Sequence, residues 1–158
     1  MIRKKILLLG DFSVGKTSLV RRYVDSAFDA KYLTTIGVTI SKKLCTIGNV
    51  ECEFIIWDIE GSTPSKKISL GYYRGASGAI FVADATRRTT IANLEEHKEV
   101  FLNENPDSAY VTAYNKSDML GEIAKENIVR DDDTYLTSAK DDANVDALFH
   151  RLMEKMLV

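Results

Sequence analysis

The chain has 158 residues, 45% of them hydrophobic and 28% charged, and a formal net charge of −2. That length fits one domain, residues 1–158, able to bury about 70% of the surface its unfolded form exposes. The near-neutral balance offers no electrostatic argument for nucleic acid or an anionic membrane, so specificity has to reside in local sites.

At the N-terminus, Met1-Ile2-Arg3-Lys4-Lys5 before an apolar run has the charge order of a secretory signal. The apolar stretch is too short for one and runs into a glycine-rich loop, so Lys4–Leu9 reads as a first strand. No segment approaches the ~18 apolar residues of a membrane span. Position 2 is Ile rather than the Gly of myristoylation, and Met156-Leu157-Val158 has no Cys to prenylate. The expectation is a cytoplasmic, monomeric chain with no direct membrane anchor.

Directly after Ile6-Leu7-Leu8-Leu9, residues Gly10-Asp11-Phe12-Ser13-Val14-Gly15-Lys16-Thr17 spell G-x-x-x-x-G-K-T. A buried parallel strand feeding a glycine-rich turn points backbone N–H groups inward, and a helix opening near Lys16 adds its positive end, which together make a phosphate cradle. Lys16 then reaches the outer phosphates, and Thr17 can ligate magnesium.

The rest of the chain alternates helical and strand patterns. A helix is expected over Lys16–Val24, followed by a long connection, Asp25–Thr35, and by strands Gly37–Thr46 and Val50–Trp57 around a tight Gly48-Asn49 turn. A second long connection, Glu60–Lys67, leads into a helical segment around Ser65–Tyr73. Strand Ala79–Ala83, helix Ile91–Asn103, strand Ala109–Ala113, a short helix near Gly121–Val129, strand Thr134–Leu136 and helix Val145–Leu157 complete the series. This is an α/β order, expected as a six-stranded, mostly parallel sheet with one antiparallel edge hairpin strand and about five helices. On the hairpin, Cys45 and Cys52 fall opposite each other at a hydrogen-bonded pair, where Cα atoms keep the wider ~5.5 Å spacing. Two free thiols are expected.

Three further segments complete a nucleotide constellation. Trp57-Asp58-Ile59-Glu60-Gly61 ends an apolar strand in D-x-x-G, where Asp58 can support a magnesium-bound water and the Gly61 N–H can meet a terminal phosphate. Asn115-Lys116-Ser117-Asp118 follows the apolar Tyr110–Tyr114 run, and an Asp118 carboxylate accepts from both N1–H and the exocyclic amine of guanine. Adenine presents an unprotonated N1 and no amine there, leaving the carboxylate unpaired at a penalty of about 1–3 kcal/mol. Ser138-Ala139-Lys140 can then place a backbone N–H at the guanine O6 and a Lys stem along the base.

These elements, in this order at strand ends, resemble the Ras superfamily of small GTPases, a P-loop NTPase G domain, over essentially the whole chain. Tyr32-Leu33-Thr34-Thr35-Ile36-Gly37-Val38 looks like the first switch of the Rab branch, and Gly71-Tyr72-Tyr73-Arg74-Gly75-Ala76 looks like its segment closing the second. The resemblance implies a GTP/GDP switch with Mg2+ that hydrolyses GTP. It places Phe12, Ser13, Val14, Gly15, Lys16, Thr17 and Ser18 at the phosphates, Thr17 and Thr35 on magnesium with Asp58 behind them, Phe28 on the guanine face and Tyr32 over the γ-phosphate. Asn115, Lys116, Asp118, Ser138, Ala139 and Lys140 surround the base, and Lys16, Thr35 and Gly61 serve catalysis. Effectors, exchange factors or GTPase-activating proteins are implied through segments 28–40 and 58–75. Ile40, Trp57 and Tyr72 occupy the places of an exposed apolar triad, although the usual Phe is Ile40, which ordinary hairpin packing also accounts for.

The pattern breaks in two places that matter chemically. After D-x-x-G the family has Gln, which orients the attacking water, and here Ser62 stands instead, too short for that work. The loop carries Phe12-Ser13 where the pattern has a small residue and Gly, so a phenyl ring crowds the space beside the γ-phosphate that a partner's arginine would need. The expected activity is a weak intrinsic GTPase. The alternative is a GTP/GDP-binding interaction module that does not hydrolyse.

The remaining features take plain readings. His97 and His150 are expected on helical surfaces, Arg87-Arg88 in a solvated loop, and Asp131-Asp132-Asp133 in a solvated turn, since the alternating ligands of a calcium loop are absent. Only 23 positions separate Asn115 from Ser138, so the helix between them should be short.

Overall fold

The computed structural model of the chain describes residues 2–25, 37–59 and 69–157. Among the described residues six strands form one sheet: β1 (Ile2–Leu9), β2 (Val38–Ile47), β3 (Val50–Ile59), β4 (Gly78–Asp84), β5 (Ala109–Asn115) and β6 (Thr134–Leu136). Their order across the sheet is β2-β3-β1-β4-β5-β6, with every neighbouring pair parallel except β2 against β3. The expected mostly parallel sheet with an antiparallel edge strand is the one observed.

Helices cover both faces, which explains why β1 reads as an unbroken apolar run rather than an alternation. Ile6 and Leu8 point into one core, with Phe54, Ile80 and Val111, beneath α1 (Lys16–Asp25) and α5 (Val145–Leu157). Leu7 and Leu9 point into the other, with Phe81, Tyr73 and Phe101, beneath α3 (Leu94–Glu104). On α5 the buried residues Val145, Leu148, Phe149, Leu152 and Met153 recur at three and four, the spacing of one helix face. Tyr23 of α1 stacks on Phe149 with ring centroids 3.8 Å apart.

Two helical expectations change. Ile91–Asn103 is not one helix: α2 (Arg88–Ala92) stops at Asn93 and α3 begins at Leu94. The segment around Ser65–Tyr73 shows a single 3-10 turn, Leu70–Tyr73, and residues 65–68 lie outside the described residues. The short helix near Gly121–Val129 is α4 (Glu122–Asn127), and none of its residues is buried. Asp131 explains the chain direction after it: its Oδ1 accepts from the Asp133 N–H at 3.0 Å and the Thr134 hydroxyl at 2.7 Å, a local turn that starts β6.

The hairpin register pairs Ile47 with Val50 and Cys45 with Cys52, as the two-residue turn requires. Both cysteines are free thiols, and Cys45 Sγ donates to the Cys52 carbonyl at 3.4 Å. No helix among the described residues is long and apolar enough to cross a membrane.

Candidate functional site

β1 lies between β3 and β4, and the chain leaves it toward opposite sides of the sheet, so the loop at its carboxyl end opens at the topological switch point. Residues 10–15 fill that position and lead straight into α1. Two glycines make the approach possible. A Cβ on Gly10 would lie 2.1 Å from the Val82 carbonyl oxygen, and one on Gly15, where φ is +98°, would lie 2.3 Å from Asn115 Nδ2.

The loop's carbonyls are taken one after another by side-chain donors. Lys16 Nζ donates to Gly10 O at 3.1 Å and Asp11 O at 2.9 Å, Arg87 Nη2 to Phe12 O at 3.1 Å, Lys116 Nζ to Ser13 O at 2.8 Å, and Asn115 Nδ2 to Val14 O at 3.1 Å. With these carbonyls held by side-chain donors, the backbone N–H groups of the turn can converge on an anion, which is the physical basis of a nest. Ser13 adopts φ +63°, the left-handed conformation, within this turn. Phe12 is 43% exposed.

At the mouth of the loop, the Thr17 hydroxyl donates to Asp58 Oδ2 at 2.6 Å, and Asp58 is buried at the end of β3. A hydroxyl beside a carboxylate at the end of a phosphate cradle is a hard-oxygen donor set, suited to a cation that keeps most of its ligands as water and phosphate. Ser18 follows on the first turn of α1, half-buried.

The base-side segment is equally ordered. Asn115 ends β5 and accepts at Oδ1 from the Thr137 hydroxyl at 3.1 Å, while Lys116 takes φ +64° and turns the chain so that Asp118 faces Ser138. The Ser138 hydroxyl donates to Asp118 Oδ1 at 2.8 Å and accepts from the Asp141 N–H at 3.0 Å. Arg22 of α1 donates to Ala139 O at 2.7 Å and Lys140 O at 2.9 Å, so the helix that starts at the phosphate loop also fixes the third segment. Lys140 itself is exposed. Phe28, Tyr32, Thr35, Gly61 and Ser62 lie outside the described residues.

Several side chains of the site were read otherwise from sequence. Arg87 is exposed in a loop, as expected, yet its side chain is engaged: its Nε donates to Asp84 Oδ2 at 3.0 Å while its Nη2 holds Phe12 O. His97 is buried rather than on a surface, its Nε2 2.8 Å from Asp11 Oδ1, and Asn93 Nδ2 donates to Asp11 Oδ2 at 2.7 Å. Asp84 escaped notice altogether, because an Asp at a strand end has no distinctive spacing. Its buried carboxylate meets Lys116 Nζ at 3.1 Å and the Thr86 N–H and hydroxyl at 2.9 Å and 2.6 Å. Burial opposes its charge, but the Thr86 donors, Arg87 and Lys116 outweigh that and hold the carboxyl below its ordinary value.

Of the apolar triad, Ile40 and Tyr72 are exposed and Trp57 is half-buried against the core. Ile40 is 52% exposed and pairs across the strands with Trp57, whose ring centroid lies 6.2 Å from that of the exposed Tyr72. Lys5 Nζ stands 3.7 Å from the centroid of the Trp57 ring.

Residues 5–158 match the Ras family. The chain is 38% identical to the Ras-related protein RABC1 of Arabidopsis thaliana over 163 residues, covering 97% of this chain and 76% of that protein. It is 35% identical to the Ras-related protein SEC4 of Saccharomyces cerevisiae, covering 94% of this chain and 72% of that protein. With the dog Ras-related protein Rab-22A the identity is 33%, over 96% of this chain and 82% of the relative. The chain therefore belongs to the Ras family, as a Rab-like, GTP-binding small GTPase.

Proposed function

We propose that this chain is a guanine-nucleotide switch that binds GTP and GDP with magnesium and, unaided, hydrolyses GTP slowly. The observation that supports it best is the joining of two half-sites. Asn115 and Lys116, three and two residues before the base-reading Asp118, hold the carbonyls of Val14 and Ser13, so a ligand gripped at its base meets the phosphate loop at its other end.

In this reading Asp118 accepts from guanine N1–H and the exocyclic amine, with Ser138 fixing one carboxylate oxygen in place. Adenine would leave that carboxylate opposite an acceptor, which is the basis of selectivity. Phe28 covers the guanine face and Tyr32 the γ-phosphate. Ala139 offers its N–H to the guanine O6, with the Lys140 stem along the base. Lys16 brings its ammonium to the outer phosphates, and the loop N–H groups donate to their oxygens. Magnesium, when bound, neutralises charge on the β- and γ-phosphates. Thr17 and Thr35 would hold it by their hydroxyls, and Asp58 would support it through the Thr17 hydroxyl to which it is bonded.

Slow turnover follows from two side chains. In this reading Gly61 serves the γ-phosphate by its N–H, but Ser62 is too short to orient an attacking water as Gln does, and loss of one such positioning group is worth about 10²–10³ in rate. The exposed Phe12 ring crowds the side from which a partner's arginine would enter. Partners engage through segments 28–40 and 58–75, with Ile40, Trp57 and Tyr72 as the apolar contact, and the chain acts as a monomer in the cytoplasm.

Single-turnover GTP hydrolysis on the wild type, Ser62→Gln, Phe12→Gly and the double variant tests this. The double variant is expected to be faster by about 10². Equal rates in all four would overturn the account of slow hydrolysis, and bound GTP unchanged over hours in the wild type would favour the non-hydrolysing module. ATP competing as well as GTP, or Asp118→Asn with an unaltered guanine preference, would remove the guanine assignment.

A further inference from the structure

We infer that Arg87, Asn93 and His97 are positioning residues of the nucleotide site, which set the lifetime of the bound nucleotide by holding the phosphate loop from the side of β4 and α3. This rests on the guanine-nucleotide reading above. None of the three belongs to the phosphate loop or to the base-reading segments, yet between them they hold both residues that follow Gly10.

Arg87 is anchored before it reaches the loop. Its Nε is 3.0 Å from Asp84 Oδ2, and Asp84 is nearly inaccessible and itself fixed by Thr86 and Lys116. The guanidinium is a planar fork, so fixing Nε aims Nη2, which lies 3.1 Å from Phe12 O. Arg87 takes the Phe12 carbonyl, between the two carbonyls held by the loop's own lysine and the two held by the base-reading segment.

Asp11 is held at both carboxylate oxygens, by Asn93 at 2.7 Å and by His97 at 2.8 Å. Asn93 stands at the break between α2 and α3, the feature that the apolar spacing did not foretell. The backbone carbonyl of the same Asp11 accepts from Lys16 Nζ at 2.9 Å, so moving Asp11 also moves the ammonium intended for the outer phosphates. A nest binds an anion tightly only while its N–H groups stay convergent, and pinning the loop beforehand removes the reorganisation that binding would otherwise require.

The test uses the full chain loaded with a fluorescent GDP analogue and chased with excess GDP, reading the dissociation rate. Arg87→Met and His97→Leu, which keep volume and remove the donors, are expected to release about tenfold faster, and Arg87→Lys and His97→Gln, which restore a donor, by less than about threefold. Asp133→Asn serves as the remote control: it removes the ion pairs to Arg151 and Lys155 at 3.0 Å and 2.8 Å, lowering the thermal midpoint without altering release. Arg87→Met and His97→Leu releasing no faster than wild type, or Asp133→Asn accelerating release as much as they do, would overturn the inference. A wild-type chain that retains no guanine analogue would instead overturn the functional reading itself, a result distinct from variants that all bind and release alike.

Discussion

The Asp84 carboxylate lies 3.1 Å from the Lys116 ammonium, joining the end of β4 to the segment proposed to read the base. Lys116 passes the constraint on by donating to Ser13 O, and Arg87 does the same for Phe12 O from the other carboxylate contact. One buried acid therefore orients two cations that both end on the phosphate loop.

Asp84→Asn should lower the unfolding free energy at pH 7 by about 2 kcal/mol, less than for a fully buried pair because both cations keep contact with water. The folded-state pKa is depressed from 3.8, so the stabilisation is fully present above that ordinary value and is lost as pH falls through the depressed one. Urea titrations of the two proteins should thus differ most near neutrality and converge on acidification below pH 4. A constant difference from pH 7 downward would show that the carboxylate's charge is not what the network uses.

Ser13 sits at φ +63°, and the left-handed region costs a side-chain-bearing residue about 1–2 kcal/mol. Ser13→Gly removes that strain but adds roughly 0.5–1 kcal/mol of unfolded-chain entropy, leaving a net gain under about 1 kcal/mol. Ser13→Val adds a β-branch to the same backbone and should lose at least about 1 kcal/mol, so the two variants bracket the wild type in denaturant midpoint. Ser13→Gly falling below Ser13→Val would show that the turn relaxes out of the left-handed region once the side chain changes.

The sheet was legible because its signals are local and redundant. The apolar run Ile6–Leu9, the two-residue turn between Ile47 and Val50 and the strand ends at Asp58 and Asn115 each fix an element and its neighbour. The outer phosphate-loop contacts were not, because they join residues far apart in sequence whose types are common at surfaces. Arg87 looks like any loop arginine until Phe12 O and Asp84 are found beside it, 75 residues away in the first case and three in the second. His97 has no apolar or metal-like spacing to distinguish it, and it meets Asp11 from α3, just after the break between α2 and α3 at Asn93. That break satisfies a tertiary contact rather than a helix propensity, so periodicity could not announce it.

Gly10 and Gly15 frame the same loop but should fail differently when a methyl group is added. At Gly10 the new Cβ meets the Val82 backbone carbonyl at 2.1 Å, and neither β1 nor β4 can yield without breaking the ladder between them. Gly10→Ala should therefore lower the urea midpoint, by about 3 kcal/mol or more in stability. At Gly15, besides the strain of φ +98°, the steric obstacle is a side-chain amide, Asn115 Nδ2 at 2.3 Å, which can rotate away but only by releasing Val14 O. Gly15→Ala should keep most of the fold while losing GDP retention by about tenfold or more, since the joint between base segment and phosphate loop is opened. Equilibrium denaturation read beside nucleotide release on both variants separates the two outcomes. If Gly15→Ala loses stability as heavily as Gly10→Ala while holding GDP normally, the Asn115 to Val14 bond is a strut of the fold and not the joint between the half-sites.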